Sequence, residues 1–225
     1  MKYVFLDTET THLDPELGRL WEVALIVRHT HYPSLGDQEF WWQVRPDLTT
    51  ADPKSLQISK YYSRNHQIRE LPIGHGAQLA CASGDESTEG AVMEAVTAAQ
   101  VALRLAQHLD GATIVANNPC HDRDFLRSFM HAHGQALTAS HRMDDIRSML
   151  KGYVYGRLAA HGGEVQDAFL PDAAAYVHDW LIGAMDVLAW EIVGVSQAQE
   201  TKHTALGDAR CVRDVFDGIT KGNHE

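Results

Sequence analysis

The sequence YVFLDTE at residues 3–9 decides the fold, because four apolar residues run directly into two carboxylates. A short apolar run rich in β-branched and aromatic residues is typical of a strand buried on both faces. Since side chains alternate along a strand, Asp7 and Glu9 share one face with Tyr3 and Phe5. Two carboxylates about 7 Å apart on a central strand repel each other and are costly to bury. The pattern predicts either a cation site or a strand that ends in solvent at Asp7.

Two further apolar runs follow, at residues 20–27 and 40–44, separated by turn-forming residues. Short connections of this kind favour antiparallel neighbours. The second half of the chain alternates between helical and strand patterns. The expected elements are a helix over residues 91–109, a strand over 112–116, a helix over 118–133, a strand over 141–146, and helices over 171–193 and 204–219. This order predicts an α/β fold with a mixed central sheet, three antiparallel strands then parallel strands, and flanking helices.

The composition of the 225-residue chain, 44% hydrophobic and 22% charged, is that of an ordinary globular protein, and we expect one domain over residues 1–225. No apolar stretch approaches the ~20 residues of a membrane helix, and the first residues lack the pattern of a secretory signal. Three cysteines without paired spacing favour a reducing cytoplasm. The net charge of −11 argues against broad, non-specific binding of nucleic acid. It allows a local groove in which metal ions neutralise carboxylates.

Helical periodicity selects one acid in each of two helices. Three and four residues beyond Asp122 lie Phe125 and Leu126, on the apolar side of the helix, whereas the same steps from Asp124 reach its polar side. Asp208 heads the apolar stripe of the last helix in the same way. Burying an aspartate costs free energy unless it is paired or bound to metal. A helix cap or a salt bridge to arginine is the structural alternative for each acid.

His203 precedes Asp208 by five residues and lies just ahead of the last helix. Five residues turn a helix by roughly 140°, so the two side chains do not share a helical face. A histidine on the preceding loop can nonetheless turn toward the same site. Because the chain has 14 histidines, a solvated surface side chain is the alternative.

Three short motifs resemble those of the DEDDh (DnaQ-like) 3′–5′ exonucleases, a family that includes the proofreading subunit of bacterial DNA polymerase III, ribonuclease T and oligoribonuclease. The motifs are Asp7-Thr8-Glu9, Asn118 followed by Asp122, and His203 followed by Asp208. Residues 19–24 are similar to the family's second strand, and the motifs are collinear over residues 4–216. We expect residues 47–90 and 150–171 to be insertions that are atypical of the family. The chain also has His12 where relatives usually have glycine, and His121 where they usually have an aromatic residue.

The resemblance implies a ribonuclease-H-like fold and a metal-dependent enzyme that releases 5′-mononucleotides from the 3′ end of DNA or RNA. The implied metal ligands are four acids: Asp7, Glu9, Asp122 and Asp208. Oxygen ligands suit Mg²⁺ or Mn²⁺, and two such ions can clamp the attacking and leaving oxygens of a phosphodiester. His203 would be the general base, a role that matches the pKa of an imidazole.

The resemblance also implies four substrate contacts: Thr10, His12, Leu13 and Asn118. Leu13 either wedges against a terminal base or is an ordinary turn residue, and Asn118 is already explained as the cap of the helix that starts at Pro119. The expected partner is the 3′ end of a nucleic acid. Whether the chain works alone, as a homodimer or as the partner of a DNA polymerase stays open. No membrane partner is expected.

Two other functions stay open. A catalytically idle module on the same fold would bind nucleic acid or protein without metal-dependent turnover. An endonuclease of the broader ribonuclease-H-like group would cut circular substrates, which offer an exonuclease no end. Residues 54–69, with four basic side chains and two tyrosines, form either the border of a single-strand groove or a solvated surface.

Overall fold

Strand β1 (Lys2–Thr10) carries both acids of the first motif and lies inside a mixed sheet, of which seven strands belong to the described part of the chain. The computed structural model describes residues 1–65, 68–80, 92–160 and 192–221. Its other strands are β2 (Leu20–His29), β3 (Gln38–Val44), β4 (His75–Ala80), β5 (Val92–Thr97), β6 (Thr113–Ala116) and β7 (Met143–Asp145). They lie in the order β5-β4-β3-β2-β1-β6-β7.

The pairing of β1 changes direction across the strand. β1 pairs antiparallel with β2 and parallel with β6, while β2 and β3 are antiparallel and β6 and β7 are parallel. The predicted mixed sheet of antiparallel and then parallel strands is therefore confirmed. Asp7 lies opposite Ala24 and Glu9 lies opposite Glu22, and the register shifts between Glu9 and Thr10. Irregular pairing of this kind is common beside functional sites.

Helices connect and flank these strands. They are α1 (Pro53–Ile58), α2 (Tyr61–Arg64), α3 (Ala98–Leu109), α4 (Pro119–Ala132), α5 (Ile146–Ala160) and α6 (Ala205–Lys221), with a short 3₁₀ turn at Pro33–Leu35. The predictions of α4 and α6 are confirmed to within about two residues at each end. Within the described part of the chain, no helix is long and apolar enough to cross a bilayer.

The prediction of one helix over residues 91–109 is wrong at its start. Val92–Thr97 forms β5, antiparallel to β4, and the helix begins at Ala98. Thr97 and Gln100 form a capping box: the Gln100 N–H donates to the Thr97 hydroxyl (3.2 Å), and the Thr97 N–H donates to the Gln100 side chain (2.7 Å). This Thr-x-x-Gln signature marks the helix start, and pairing with β4 makes the preceding residues a strand.

Three sequence-based predictions fall partly on residues that are not described. The helix expected over residues 171–193 lies outside the described residues except for a helical assignment at 192 and 193. Of the expected insertion at 47–90, the structure describes α1, α2 and β4. Of that at 150–171, it describes residues 150–160, which belong to α5. That these stretches are insertions stays a prediction.

Two apolar layers, one on each face of the sheet, position the end of β1. On one face Phe5 packs against α5 and α6, and on the other Val4 and Leu6 pack against α3 and α4. The alternation along β1 continues past these residues, so Asp7 and Glu9 lie on the α6 side. The strand thus presents both acids to the first turn of α6.

Candidate active site

Asp7, Glu9 and Asp208 form a close group at the end of β1. Each offers one carboxylate oxygen, and the three oxygens lie within 4.8 Å of one another. Asp7 and Glu9 come from alternate positions of β1, whereas Asp208 comes from the first turn of α6. The structure therefore brings together residues from the first and third motifs. Their proposed role as metal ligands stays a prediction.

Asp208 is held where the chain enters α6. The Gln197 amide donates to its Oδ1 at 2.7 Å. Thr204 caps the helix by accepting from the Gly207 N–H at 3.0 Å. A Cβ on Gly207 would lie 2.2 Å from the Thr201 carbonyl oxygen, so only glycine allows this close approach of helix and loop.

Asp122 approaches β1 from the other face of the sheet. It lies in the first turn of α4, is 4% exposed, and accepts a hydrogen bond from the Thr8 hydroxyl at 2.7 Å. It is not one of the three acids within 4.8 Å of one another. Asp124 instead forms surface ion pairs with neighbouring arginines on its own helix. The helical periodicity therefore chose the correct one of the two acids as the buried one.

Burial and repulsion raise the pKa values of the two acids on β1. The pKa of Asp7 is raised well above its ordinary value, first by burial and then by the charges of Asp208 and Asp122. The pKa of Glu9 is also raised well above its ordinary value, first by burial and then by Glu22, while Arg64 acts in the opposite direction. These carboxylates resist ionisation unless positive charge is supplied.

The pKa values of the two acids on helices are also raised, but hydrogen bonds oppose the shift. Burial raises the pKa of Asp122 to about 7, although the hydrogen bond from Thr8 lowers it. Burial also raises the pKa of Asp208, and the hydrogen bond from Gln197 and the nearby His203 oppose that shift. A cation placed among the four acids would favour their ionised forms and would bind more tightly as pH rises.

His203 lies on the loop before α6, where the sequence placed it. Its side chain is exposed, and its imidazole is not part of the close carboxylate group in the described structure. Its backbone has a left-handed φ of 58°, and its carbonyl accepts from the Arg64 guanidinium at 2.7 Å. The loop is therefore held by its backbone, and the role of the imidazole as a base stays a prediction.

The turn after β1 contains three of the predicted substrate contacts. Thr10 is buried and its hydroxyl donates to the His12 carbonyl at 3.0 Å, so it is engaged inside the turn. His12 accepts from the Asp14 N–H through Nδ1 at 2.9 Å, and its φ is not positive, so histidine fits where relatives usually have glycine. Leu13 is 74% exposed. Of the three, Leu13 is the side chain most available to a ligand.

Asn118 corrects one sequence-based interpretation. It occupies the N-cap position of α4, but its side chain makes no capping hydrogen bond and its backbone is left-handed with a φ of 102°. The side-chain capping that explained this residue is therefore wrong. Asparagine tolerates left-handed backbone better than most residues, and its exposed amide stays a predicted substrate contact.

The basic and aromatic stretch at residues 54–69 does not form a uniform groove. Tyr61 is buried edge-on against Trp21, and Arg64 is paired with Glu22, whereas Tyr62 is exposed. Most of the side chains that were considered as the border of a single-strand groove therefore contact other residues of the protein.

Sequence reasoning missed Glu22 and Arg64 as parts of the site. Glu22 lies opposite Glu9 on β2, is 1% exposed, and pairs with the Arg64 guanidinium. A lone acid inside the apolar run at residues 20–27 was a visible signal, because a buried carboxylate needs a partner. The partner is 42 residues further on, so spacing alone does not reveal it.

Comparisons with known proteins support the fold. No protein-family model and no curated protein sequence matches the chain. Solved structures do match, including E. coli exonuclease I with single-stranded DNA in a zinc-bound form, at a TM-score of 0.59 and 15% identity over 98% of this chain and 40% of that chain. The E. coli enzyme with a dT13 oligonucleotide matches at a TM-score of 0.56 and 15% identity over 98% of this chain and 41% of that one.

A product-bound structure of exonuclease I gives a similar result, with a TM-score of 0.57 and 14% identity over 98% of this chain and 43% of that chain. The fold is therefore ribonuclease-H-like, as the resemblance of the three motifs implied. This chain spans about two fifths of the length of the exonuclease I chains that it matches. At this identity the likeness establishes the fold alone.

Proposed function

We propose that the chain is a metal-dependent exonuclease of the DnaQ-like superfamily that hydrolyses nucleic acid from the 3′ end and releases 5′-mononucleotides. The observation that carries the proposal is the convergence of Asp7, Glu9 and Asp208 within 4.8 Å, on a fold shared with exonuclease I. The exonuclease I structures that contain single-stranded DNA favour a single-stranded substrate here.

The donor set fits divalent cations such as Mg²⁺ or Mn²⁺. All its ligand atoms are carboxylate oxygens, which hard cations prefer. Burial and mutual repulsion raise the pKa values of Asp7 and Glu9, so a bound cation would favour their ionised forms. Asp7, Glu9 and Asp208, with Asp122 beside them, would hold two cations.

When bound, the cations would supply Lewis-acid activation of water and charge stabilisation at the leaving oxygen. The residues of the chain would divide the remaining tasks. His203, exposed on its loop, would accept the proton of the attacking water through its neutral imidazole. Thr8 would hold the Asp122 carboxylate in place through its 2.7 Å hydrogen bond. Leu13 would contact the terminal base.

The direct test uses 5′-labelled single strands of DNA and RNA, with Mg²⁺ or Mn²⁺. We expect a ladder that shortens from the 3′ end and is lost with a chelator or with Asp7→Asn. If the wild type and Asp7→Asn leave both strands equally intact, the proposal fails. Cleavage of a circular single strand would instead indicate an endonuclease.

An idle binding module on the same fold is disfavoured by the site itself. Clustered buried acids destabilise a protein when nothing positive binds them. The pKa of Asp7 is raised by four other acids of the site, which is a cost that a binding module has no reason to keep. Retention of all four acids therefore favours metal binding.

A further inference from the structure

A buried carboxylate next to the proposed metal site is fully engaged by hydrogen bonds. One oxygen of Glu22 accepts from Trp41 Nε1 at 3.0 Å and from Gln43 Nε2 at 2.8 Å. The other accepts from the Arg64 guanidinium and from the Ala205 N–H, the latter at 3.0 Å. Glu22 therefore ties β2 and β3 to α2 and to the first residue of α6.

The Arg64 guanidinium donates hydrogen bonds to three different residues. Besides Glu22, it donates to the Ser59 carbonyl at 2.8 Å and to the His203 carbonyl at 2.7 Å. It also lies over the Trp21 ring, 5.2 Å from the centroid. A planar guanidinium can satisfy several acceptors in fixed directions, whereas a lysine ammonium offers one flexible point of charge. The geometry at this position is specific to arginine.

The segment that these two residues hold contains an uncommon backbone conformation. His203 has a left-handed φ of 58°, which only a small share of residues other than glycine adopt. Such a conformation persists when its surroundings impose it. Here Arg64 binds the carbonyl of His203 and Glu22 binds the N–H of Ala205, two residues further on. Lys60 adds a contact to the Lys202 carbonyl at 3.3 Å.

We propose that Glu22 and Arg64 are positioning residues that hold the backbone of His203 so that its imidazole is presented to the substrate. The inference rests on the proposed function, since it takes His203 as the base. Replacing a buried ion pair by apolar residues is often neutral or stabilising, so stability alone does not account for this pair. What an apolar pair would not supply is a donor to the His203 carbonyl and an acceptor for the Ala205 N–H.

The test is a double-mutant cycle of Arg64→Lys with His203→Ala. Lysine keeps the positive charge beside Glu22 and Glu9 but lacks the guanidinium N–H group that donates to the His203 carbonyl. We expect Arg64→Lys to lower kcat by about ten- to a hundredfold while KM and Mn²⁺ affinity stay unchanged. In the His203→Ala background, the same change should have no further effect on kcat. Independent, multiplicative losses would overturn the inference, as would an unchanged kcat in Arg64→Lys.

Arg28→Lys is the matched control, because it makes the same chemical change in an arginine paired with Asp37 and Asp217 at the far end of β2. It should lower stability without changing kcat. A second measurement is hydrogen exchange of the peptide covering residues 200–206, which should be faster in Arg64→Lys than in the wild type or Arg28→Lys. If the wild type has no nuclease activity, the proposed function fails, but this exchange still tests whether Arg64 holds the backbone of the His203 loop. Equal protection in all three proteins would overturn it.

Discussion

The acids at the site are held by different partners on the two faces of the sheet. Asp122 accepts from Thr8, while Asp208 accepts from Gln197. These hydrogen bonds favour the charged form, yet burial outweighs them and raises both pKa values. Neither acid is therefore explained by the stability of the fold. Their positions make sense when a cation completes the site.

Asp122→Asn compared with Asp124→Asn tests the assignment of the buried acid on α4. We expect Asp122→Asn to reduce metal-dependent cleavage by about 10²-fold or more, because a ligand charge is lost. Asp124→Asn, which removes a surface acid on the same helix, should leave cleavage unchanged. At about pH 8 in chelator, Asp122→Asn should unfold at the same or a higher temperature, since no buried charge remains there. Equal activity of the two variants would contradict the assignment.

Helix α6 shows how one element supplies both a site residue and its support. Its first turn carries Asp208, and Thr204, just before the helix, accepts a hydrogen bond from the Gly207 N–H. Gly207, between them, lets the Thr201 carbonyl approach the helix. The position of Asp208 thus depends on a close contact between helix and loop.

Gly207→Ala is expected to destabilise the protein by about 1–3 kcal/mol, because the added methyl group meets the Thr201 carbonyl. Gly156→Ala is the matched control: it lies within α5 and a Cβ there meets nothing within 4 Å. That change should stabilise by about 0.5–1 kcal/mol through helix propensity. Denaturant unfolding measures both. Similar effects of the two substitutions would show that the close approach at Gly207 does not constrain α6.

At the scale of the whole molecule, metal binding and folding are linked through the four acids. In the folded state their pKa values are raised, so the native protein keeps protons that the unfolded chain has released. The stability of the metal-free protein therefore falls as pH rises from about 4 through the folded pKa values. Burial lowers the pKa of His108, His121 and His133, which acts in the opposite direction below about pH 6.5.

The effect of the acids on the stability of the protein is therefore best measured between about pH 6.5 and pH 8, where the histidines no longer oppose it. In chelator we expect the Tm to fall across this window, and Mn²⁺ should raise it more at the upper end. Thermal unfolding of the wild type and of Asp7→Asn/Asp122→Asn measures the effect, and the double variant should show a flatter pH dependence and little response to Mn²⁺. A Tm that is insensitive to Mn²⁺ at pH 8 would contradict the metal site.

Strand alternation at residues 3–9 and helical periodicity around Asp122 and Asp208 were sufficient to predict which acids of the three motifs face the sheet, but not that Glu22 is buried beside them. Both depend on local geometry, which repeats every two or every 3.6 residues. The strand β5 was missed because its helix-like composition is overridden by pairing with β4, a tertiary interaction. Asn118 was correctly placed at a cap position, but its side chain does not cap, since its backbone is left-handed.

By itself, the sequence determined the mixed sheet built on β1, β2, β3, β6 and β7, the helices α4 and α6, and the acids of the three motifs that face the sheet, because hydrophobic periodicity is local. The tertiary structure alone decided that three of those acids lie within 4.8 Å of one another while Asp122 reaches β1 from the opposite face. It also decided that Glu22 and Arg64 support the loop of His203. Contacts between residues 40 to 200 positions apart depend on how the elements pack, which no local pattern specifies.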